Sequence, residues 1–390
     1  MGEKEIRMTR RSFVKGIAGA GAVMAIGGID TEKALALSID KEASGGGLTD
    51  TDGNEKYRVT DDMGRTVELL STINKIVPSG KYAEAVLMTL CPDKLASITE
   101  PIEDEEEKQF DEAGLSEISE LAGTGEMYPA DAREDSQNFD IRKVDDVKPD
   151  LILDIGTKKG DLKSTLEYTQ VKSDTPVIFL DGTFGKLPQV YRKLGTITGC
   201  RKRAEELAAF IENIQEIVQQ KKTVVHERIN VYYAKNDDGK QADTGYSFQN
   251  EAIRTVGAEP VTVNEDVAND QICIESLKNK DIDFIIFNDP ECLKKIVEEN
   301  NSENGVWKQI GAINNGSYAL APGLFHNWVG FPMFVQTIGM LWIGSILWHD
   351  EYSGILIKHV KEFYGLFYGY EFDANELNKL LYGAVEIEEY

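Results

Sequence analysis

A long stretch without Gly or Pro, at positions 201–222, constrains this chain more than any other feature. Its apolar residues recur at helical spacing and form one stripe: Ala204, Leu207, Ala208, Ile211, Ile214 and Val218. Gly199 marks the break before the stretch, and lysines fill its last turn, where positive charge interacts favourably with the helix dipole. A helix of this length would be roughly 33 Å long, about the diameter of a small domain. Strand-and-helix alternation precedes the stretch and resumes after it, so the pattern predicts a rod between two α/β lobes. An ordinary surface helix of one large domain is the alternative.

The length of 390 residues suits two domains rather than a single core. We predict a first α/β lobe at 57–187, a linking helical segment at 188–222 and a second α/β lobe at 223–390. Near-continuous apolar strands separated by helices predict parallel sheets covered on both faces. The predicted strands lie at 74–78, 95–99, 150–155 and 176–180 in the first lobe and at 228–234, 281–287 and 317–320 in the second. A hairpin at 57–70 precedes the first sheet.

Charge and cysteine content exclude several classes of function. Asp and Glu total 67 against 42 Lys and Arg, a net charge of −25, which argues against nucleic acid or an anionic membrane as a general partner. Cysteines occur only at 91, 200, 273 and 292, without a CxxC motif or Cys–His pairs at zinc spacing, so we predict no cofactor or structural metal. The sequence leaves their disulfide state open. No nucleophile elbow, P-loop or HExxH motif is present, and we therefore predict that the protein is not an enzyme.

The N-terminus carries an export signal. The string TRRSFVK at 9–15 is a twin-arginine motif, and the apolar run at 16–29 after it is too short to anchor the chain in a bilayer. Ala34-Leu35-Ala36 supplies a small-x-small cleavage site. The pattern predicts a signal peptide at 1–36, a flexible leader at 37–56 and a periplasmic or other extracytoplasmic location. Because no cysteine lies near the cleavage site, we predict no lipid anchor and no membrane insertion after cleavage.

Candidate ligand-binding residues of the first lobe follow the predicted strands, because ligands of parallel sheets bind beyond the carboxyl ends of the strands. They are Lys81, Tyr82, Lys158, Lys159, Thr183 and Phe184. In so acidic a protein, the lysines among them could concentrate positive potential and attract an anionic chelate. Ordinary exposed lysines are the alternative. The acidic insertion at 103–137 is interpreted as a solvated surface loop, with direct cation binding as the alternative.

Most candidates in the second lobe lie in a loop that is rich in Gly and aromatic residues and contains a histidine. They are Tyr246, Phe325, His326, Asn327 and Trp328. The aromatic side chains could form walls for a planar or bulky ligand, and the amide of Asn327 offers both donors and an acceptor. Two alternatives remain: a lone histidine is usually structural, and Trp328 could simply fill the core of the lobe.

Three segments resemble a known family. VTDDMGRTVELL at 59–70, NKIVPSG at 74–80 and NFDIRKVDDVKPDLILD at 138–154 are similar to the opening lobe of periplasmic solute-binding proteins for ferric siderophores and vitamin B12, which serve ABC importers. The resemblance implies a class III architecture, in which one long helix joins two parallel-sheet lobes with the ligand in the cleft between them. It also implies a monomer that docks on an ABC permease through Asp140 and Glu275. Asp140 stands where the family usually has Glu, one methylene longer, so that contact is the weaker match.

The sequence thus predicts an exported binding protein that delivers a metal chelate to an ABC permease. A ferric siderophore is the first choice of ligand, and a corrinoid or haem is the second. One alternative is a bare metal ion or oxyanion held directly by His326 and neighbouring carboxylates. Another is an enzyme, such as a chelatase or a reductase, on a similar scaffold.

Overall fold

The computed structural model describes residues 48–49, 55–100, 118, 121–125, 141–158, 160–235, 239, 247–262, 277, 279–301, 306–352 and 354–382. The predicted signal peptide and most of the leader and of the acidic insertion at 103–137 lie outside these residues. None of the helices described combines the length and apolar character that crossing a membrane requires.

Contacts divide the chain into two compact units. The first unit contains residues 24–212 together with 364–370, and the second contains 213–363 together with 371–390. Residues 364–370 thus belong with the first unit, although the sequence analysis assigned them to the second lobe. The predicted lobe boundaries remain a prediction.

The first unit is built from an antiparallel sheet and a parallel sheet with helices. Its elements are β1 (Leu48–Thr49), β2 (Glu55–Thr60), β3 (Thr66–Leu70), β4 (Ile76–Pro78), α1 (Lys81–Leu90), α2 (Ile141–Val147), β5 (Leu151–Gly156), α3 (Leu162–Ser173), β6 (Val177–Asp181), α4 (Leu187–Thr198) and the first part of α5 (Arg201–Lys222). Strands β2 and β3 pair antiparallel, as the hairpin signal predicts. Strand β1, which lies in the predicted flexible leader, pairs antiparallel with β2. Strands β4, β5 and β6 pair parallel with β5 in the centre, which places the ends of all three at one edge.

The turn between β2 and β3 fastens the hairpin to the parallel sheet. The Asp61 carboxylate accepts hydrogen bonds from Arg65 Nη2 at 2.7 Å and Nε at 2.9 Å. It also accepts from the main-chain N–H groups of Met63, Arg65 and Phe179, at 3.0, 2.9 and 3.3 Å. Arg65 Nη2 also donates to the carbonyl of Val177 at 2.6 Å. A buried ion pair therefore links the turn to β6.

The predicted strand at 95–99 is wrong. Leu95 forms a single parallel bridge with Ile76, and Ile98 forms another with Gly123. The N–H of Ala96 donates to Ile76 at 2.9 Å, whereas the N–H of Ile98 donates to Ala122 at 3.1 Å. Because the segment changes partner after two residues, no continuous ladder forms, although Leu95 and Ile98 are buried as they would be in a strand.

The second unit contains a four-stranded parallel sheet in the order β10-β9-β7-β8. Its elements are the remainder of α5, β7 (Asn230–Ala234), α6 (Phe248–Val256), β8 (Glu259–Pro260), β9 (Phe284–Phe287), α7 (Pro290–Asn301), α8 (Gly311–Asn314), β10 (Tyr318–Leu320), β11 (Gly323–Leu324), β12 (His326–Asn327), α9 (Gln336–Leu347), α10 (His349–Tyr352), α11 (Leu356–Tyr368) and α12 (Ala374–Tyr382). β11 and β12 form a small antiparallel hairpin after β10. Together with the first sheet, this confirms the predicted α/β class with two parallel sheets.

Helix α5 begins and ends at the predicted residues. The whole predicted apolar stripe, from Ala204 to Val218, is buried. On its first half, the Arg192 guanidinium of α4 bonds Glu205 at 2.8 Å and Glu212 at 2.6 and 2.8 Å. These charge-assisted, two-pronged contacts hold the start of the long helix against α4.

The end of α11, from Tyr364 to Tyr368, is part of the first unit and packs against α4 and α5. The Phe367 ring makes edge contacts with the Tyr191 ring, at a centroid distance of 6.1 Å, and with the Phe210 ring, at 5.9 Å. Arg203 donates a hydrogen bond to the main-chain carbonyl of Leu366. Residues 364–370 therefore complete the apolar core around α4 and α5.

Candidate functional site

In the first unit, a buried polar pair lies where β4 ends. The Ser79 hydroxyl donates to Asp154 Oδ1 at 2.6 Å, and both side chains are buried. Burial raises the pKa of Asp154 to about 6, although the hydrogen bond from Ser79 opposes this shift. The carboxyl group can therefore exchange a proton near pH 6.

Lys81 and Tyr82, the two candidates after β4, are already engaged within the unit. Lys81 Nζ pairs with Glu100 Oε2 at 2.8 Å, and both side chains are more than half exposed. The buried Tyr82 donates its hydroxyl to the carbonyl of Gly182 at 2.7 Å. A Cβ atom at Gly182 would lie 2.5 Å from Tyr82 Cε1, so the ring and this loop are closely packed. Tyr82 thus positions the loop after β6.

The ends of β5 and β6 carry the remaining first-lobe candidates. Lys158 is exposed, Thr183 is half-buried and Phe184 is buried. Lys159 lies outside the described residues.

Lys186 is a cation at this edge that the sequence analysis missed. It pairs with the carboxylate of Asp181 at 2.6 Å. Burial raises the pKa of Asp181, but hydrogen bonds from Lys186 and Thr183 outweigh this effect and leave the pKa below its usual value. Lys186 ends the short 3-10 turn that begins at Phe184, shortly after β6. A lysine so soon after a predicted strand could have been recognised as a candidate from the sequence.

In the second unit, His326 lies on β12 with its ring half-buried. The ring meets Phe334 edge-on, with centroids 6.4 Å apart. Burial lowers the pKa of His326 to about 4, so the imidazole is neutral at pH 7 and can either donate or accept a hydrogen bond. Across the described residues, no group of three or more His, Cys, Asp or Glu side chains is arranged to hold a metal ion.

Two aromatic residues, Phe325 and Phe331, lie close to His326 in the chain. Phe325, at the tip of the β11–β12 hairpin, has φ of +63°, a left-handed conformation that is uncommon for a bulky residue and is often found at functional sites. Phe331 is 40% exposed, and its ring lies 6.0 Å from that of Phe248. Neither Phe331 nor Phe248 is among the candidates predicted from the sequence. Tyr246 lies outside the described residues.

Trp328 and Asn327 hold the loop together. Trp328 is fully buried, and its carbonyl oxygen lies 2.0 Å from where a Cβ atom at Gly339 would be, which requires glycine at this point of α9. Asn327 Nδ2 donates to the carbonyl of Asn288 at 3.3 Å, and Asn327 Oδ1 accepts from the N–H of Val329 at 2.9 Å. Both polar ends of the Asn327 side chain therefore contact the protein itself.

Asn288 is a further candidate at this edge, directly after β9. The hydroxyl of the buried Tyr233, on the neighbouring strand β7, donates to Asn288 Oδ1 at 2.8 Å. Since Oδ1 faces Tyr233, the two N–H donors of the exposed amide are turned away from it. Its position just after the apolar string DFIIF is the signal that could have revealed it.

Asp140 and Glu275, the predicted permease contacts, both lie outside the described residues. Their role therefore remains a prediction from the family resemblance.

Comparisons with known proteins identify the family. A family model described as periplasmic binding protein matches residues 85–322. A search of curated proteins finds no significant match. Among solved structures, an ABC transporter solute-binding protein from Sulfurospirillum deleyianum is 22% identical, with a TM-score of 0.71 over 83% of this chain and 98% of that one.

Two further structures share the fold at lower identity. Haemophilus influenzae MolA, a molybdate-binding protein solved with molybdate, is 15% identical, with a TM-score of 0.64 over 81% of this chain and 99% of that one. Helicobacter pylori CeuE in an Ni-His complex is 14% identical, with a TM-score of 0.59 over 84% and 99%. At these identities the likeness shows the fold alone. Together with the family match, it means that this chain belongs to the periplasmic binding proteins of the ferric-siderophore and vitamin B12 type, extracytoplasmic proteins that bind small molecules for ABC transporters.

Proposed function

We propose that this protein captures a metal chelate and delivers it to an ABC permease without chemical turnover. A ferric siderophore is the first choice of ligand, and a corrinoid or haem is the second. The proposal retains export by the twin-arginine route, action as a monomer without a lipid anchor, and docking on the permease through Asp140 and Glu275.

The combination of side chains that follow strands β9 and β10 in the second unit carries this proposal. Phe325 and Phe331 provide apolar faces, His326 provides a neutral ring, and Asn288 provides outward N–H donors. Sites for small molecules are typically apolar with a few placed polar groups. Such a surface suits a ligand whose metal is already coordinated, because the protein then needs to supply only stacking contacts and hydrogen bonds.

The first unit would contribute positive charge. Lys158 is exposed after β5, and Lys81 forms an ion pair with Glu100 in which both side chains are more than half exposed. Exposed ion pairs contribute about 0–1 kcal/mol, so an anionic ligand can compete with Glu100 for Lys81. This supports a ligand with negative charge, as many ferric chelates carry.

Fluorescence titration tests the proposal directly, because all four tryptophans lie between 307 and 348, within the second unit. The mature protein is titrated with a ferric hydroxamate, a ferric catecholate, cobalamin and haem, and its absorption spectrum is recorded as purified. We expect saturable quenching by at least one of them, weakened in Phe331→Ala but unchanged in Tyr168→Ala, which removes an aromatic ring 56% exposed on α3 of the first unit. If none of the four alters the fluorescence, the proposal is wrong.

A bare oxyanion or metal ion held by His326 is the second candidate. The neutral imidazole supports it, and so does the fold shared with a protein solved with molybdate. Under this alternative, His326→Ala abolishes binding of molybdate or of a divalent cation, measured by calorimetry. The exposed His226, changed to Ala, serves as the matched control. A loss of only a few-fold in His326→Ala would exclude direct ligation.

A further inference from the structure

Cys91 and Cys200 meet at one threonine of the first unit. The Cys200 thiol donates to the main-chain carbonyl of Thr198 at 3.9 Å, and the Cys91 thiol lies beside the side chain of the same threonine. Cys91 caps the C-terminal end of α1, whereas Cys200 lies in the short break between α4 and α5. Two thiols that are far apart in the chain therefore share one contact residue.

The surrounding contacts hold these two chain segments side by side. The Thr89 hydroxyl lies 2.9 Å from the hydroxyl of Tyr191 on α4. The Arg203 guanidinium, in the first turn of α5, donates two hydrogen bonds at 3.3 Å to the carbonyl of Thr89. Thr89, two positions before Cys91, is thus bonded to both α4 and the first turn of α5.

We propose that Cys91 and Cys200 form an intrachain disulfide after the protein has left the cytoplasm. Twin-arginine export moves folded proteins, so the thiols would be reduced while the chain folds and would meet an oxidising compartment afterwards. In the structure both residues are thiols. The crosslink would fasten the end of α1 to the start of the long helix α5.

The accessibility of the two thiols sets the order of the reaction. Cys200 is half-buried and Cys91 is buried, and burial raises the pKa of the Cys91 thiol far above its usual value. Cys200 therefore attacks first, as a thiolate, on the disulfide of an oxidised thiol–disulfide oxidoreductase and displaces one of its sulfurs. Cys91 then loses its proton and attacks the Cys200 sulfur of this mixed disulfide. The new S–S bond forms, and the oxidoreductase sulfurs take up the two protons that the cysteines lost, so that the oxidoreductase leaves as a dithiol carrying the two electrons.

Peptide mapping tests this pairing in the exported protein. The protein is isolated from outside the cytoplasmic membrane, treated with N-ethylmaleimide without reductant and digested with trypsin. We expect one linked species that joins peptide 82–94 to peptide 194–201 and separates on reduction. Alkylation of Cys200 before reduction, or a link from Cys91 to Cys273 or Cys292, would overturn the proposal.

Thermal unfolding gives an independent readout of the crosslink. The disulfide would close a loop of about 110 residues, so the oxidised wild type should unfold roughly 5–10 °C above Cys200→Ser. In dithiothreitol this difference in unfolding temperature should vanish. If the substitution acted only by disturbing the packing, the difference would persist in dithiothreitol. Cys292→Ser, which removes a buried thiol of the second unit, should respond to dithiothreitol as the wild type does. A wild-type midpoint that is insensitive to dithiothreitol would refute the crosslink.

Discussion

Removing the Asp61 carboxylate should destabilise the first unit severely. The Asp61 side chain is 0% exposed and that of its partner Arg65 is 6% exposed, so the charge pair is shielded from water. Asp61→Ala would leave the guanidinium buried with the carbonyl of Val177 as its remaining acceptor among the contacts described above. Removing one partner of a buried ion pair costs about 3–5 kcal/mol.

A matched control lies on the same hairpin. Arg58 pairs with Glu68 at 2.9 Å, close to the 2.7 Å of the buried pair, but these side chains are 51% and 45% exposed. Exposed pairs contribute about 0–1 kcal/mol, so Glu68→Ala should have little effect. The two ion pairs have similar lengths and differ in burial, and the Asp61 carboxylate additionally accepts three main-chain N–H groups, so its removal should cost more.

Urea unfolding monitored by far-ultraviolet circular dichroism measures both variants. We expect the midpoint of the first unit's transition to fall by roughly 1–3 M urea for Asp61→Ala and to stay near the wild type for Glu68→Ala. The double variant Asp61→Leu/Arg65→Leu should recover part of the loss, because it leaves no unpaired charge, although the main-chain N–H groups of residues 63, 65 and 179 still lose their acceptor. Equal midpoints for Asp61→Ala and Glu68→Ala would refute the argument from burial.

Three further predictions concern titration and binding. The raised pKa of Asp154 means that the folded state binds its proton more tightly than the unfolded chain, so stability should fall by roughly 3 kcal/mol as pH rises from 3.8 to about 6. Urea unfolding at each pH should show no such loss in Asp154→Asn. If the unfolding free energies of the wild type and the variant change with pH in parallel, the prediction is wrong. His326 should titrate near pH 4 by nuclear magnetic resonance, and a midpoint above pH 6 would show that the ring is solvated. Tyr233→Phe and Asn288→Ala should each weaken chelate binding about 2- to 10-fold in the fluorescence titration, and unchanged affinity would remove Asn288 from the site.

The sequence predicts features that depend on neighbours along the chain. Helix α5 matches its predicted bounds because its apolar stripe and the absence of Gly and Pro act locally. The hairpin at 57–70 is equally local, since turn residues separate two alternating runs. By contrast, the segment 95–99 has the composition of a strand, and its failure to form one depends on partners far away in the chain.

Which side chains are available to a ligand could not be predicted, because this depends on contacts made by the folded chain. Lys81 looks like an isolated cation until the fold brings Glu100 within 2.8 Å. Asn327 and Asn288 are equivalent amides in the sequence. The hydroxyl of Tyr233, on the neighbouring strand β7, turns the donors of Asn288 outward. Asn327 instead bonds the carbonyl of Asn288 and the N–H of Val329.

The packing of residues 364–370 within the first unit affects how the chain can fold during synthesis. The core around Tyr191 and Phe210 receives Phe367 only after almost the whole chain has been made. A ribosome-bound chain ending near residue 222 would therefore expose these rings to water, and a polypeptide truncated there would lack part of its own interior. The first unit to be translated is thus completed only once residue 367 has been made.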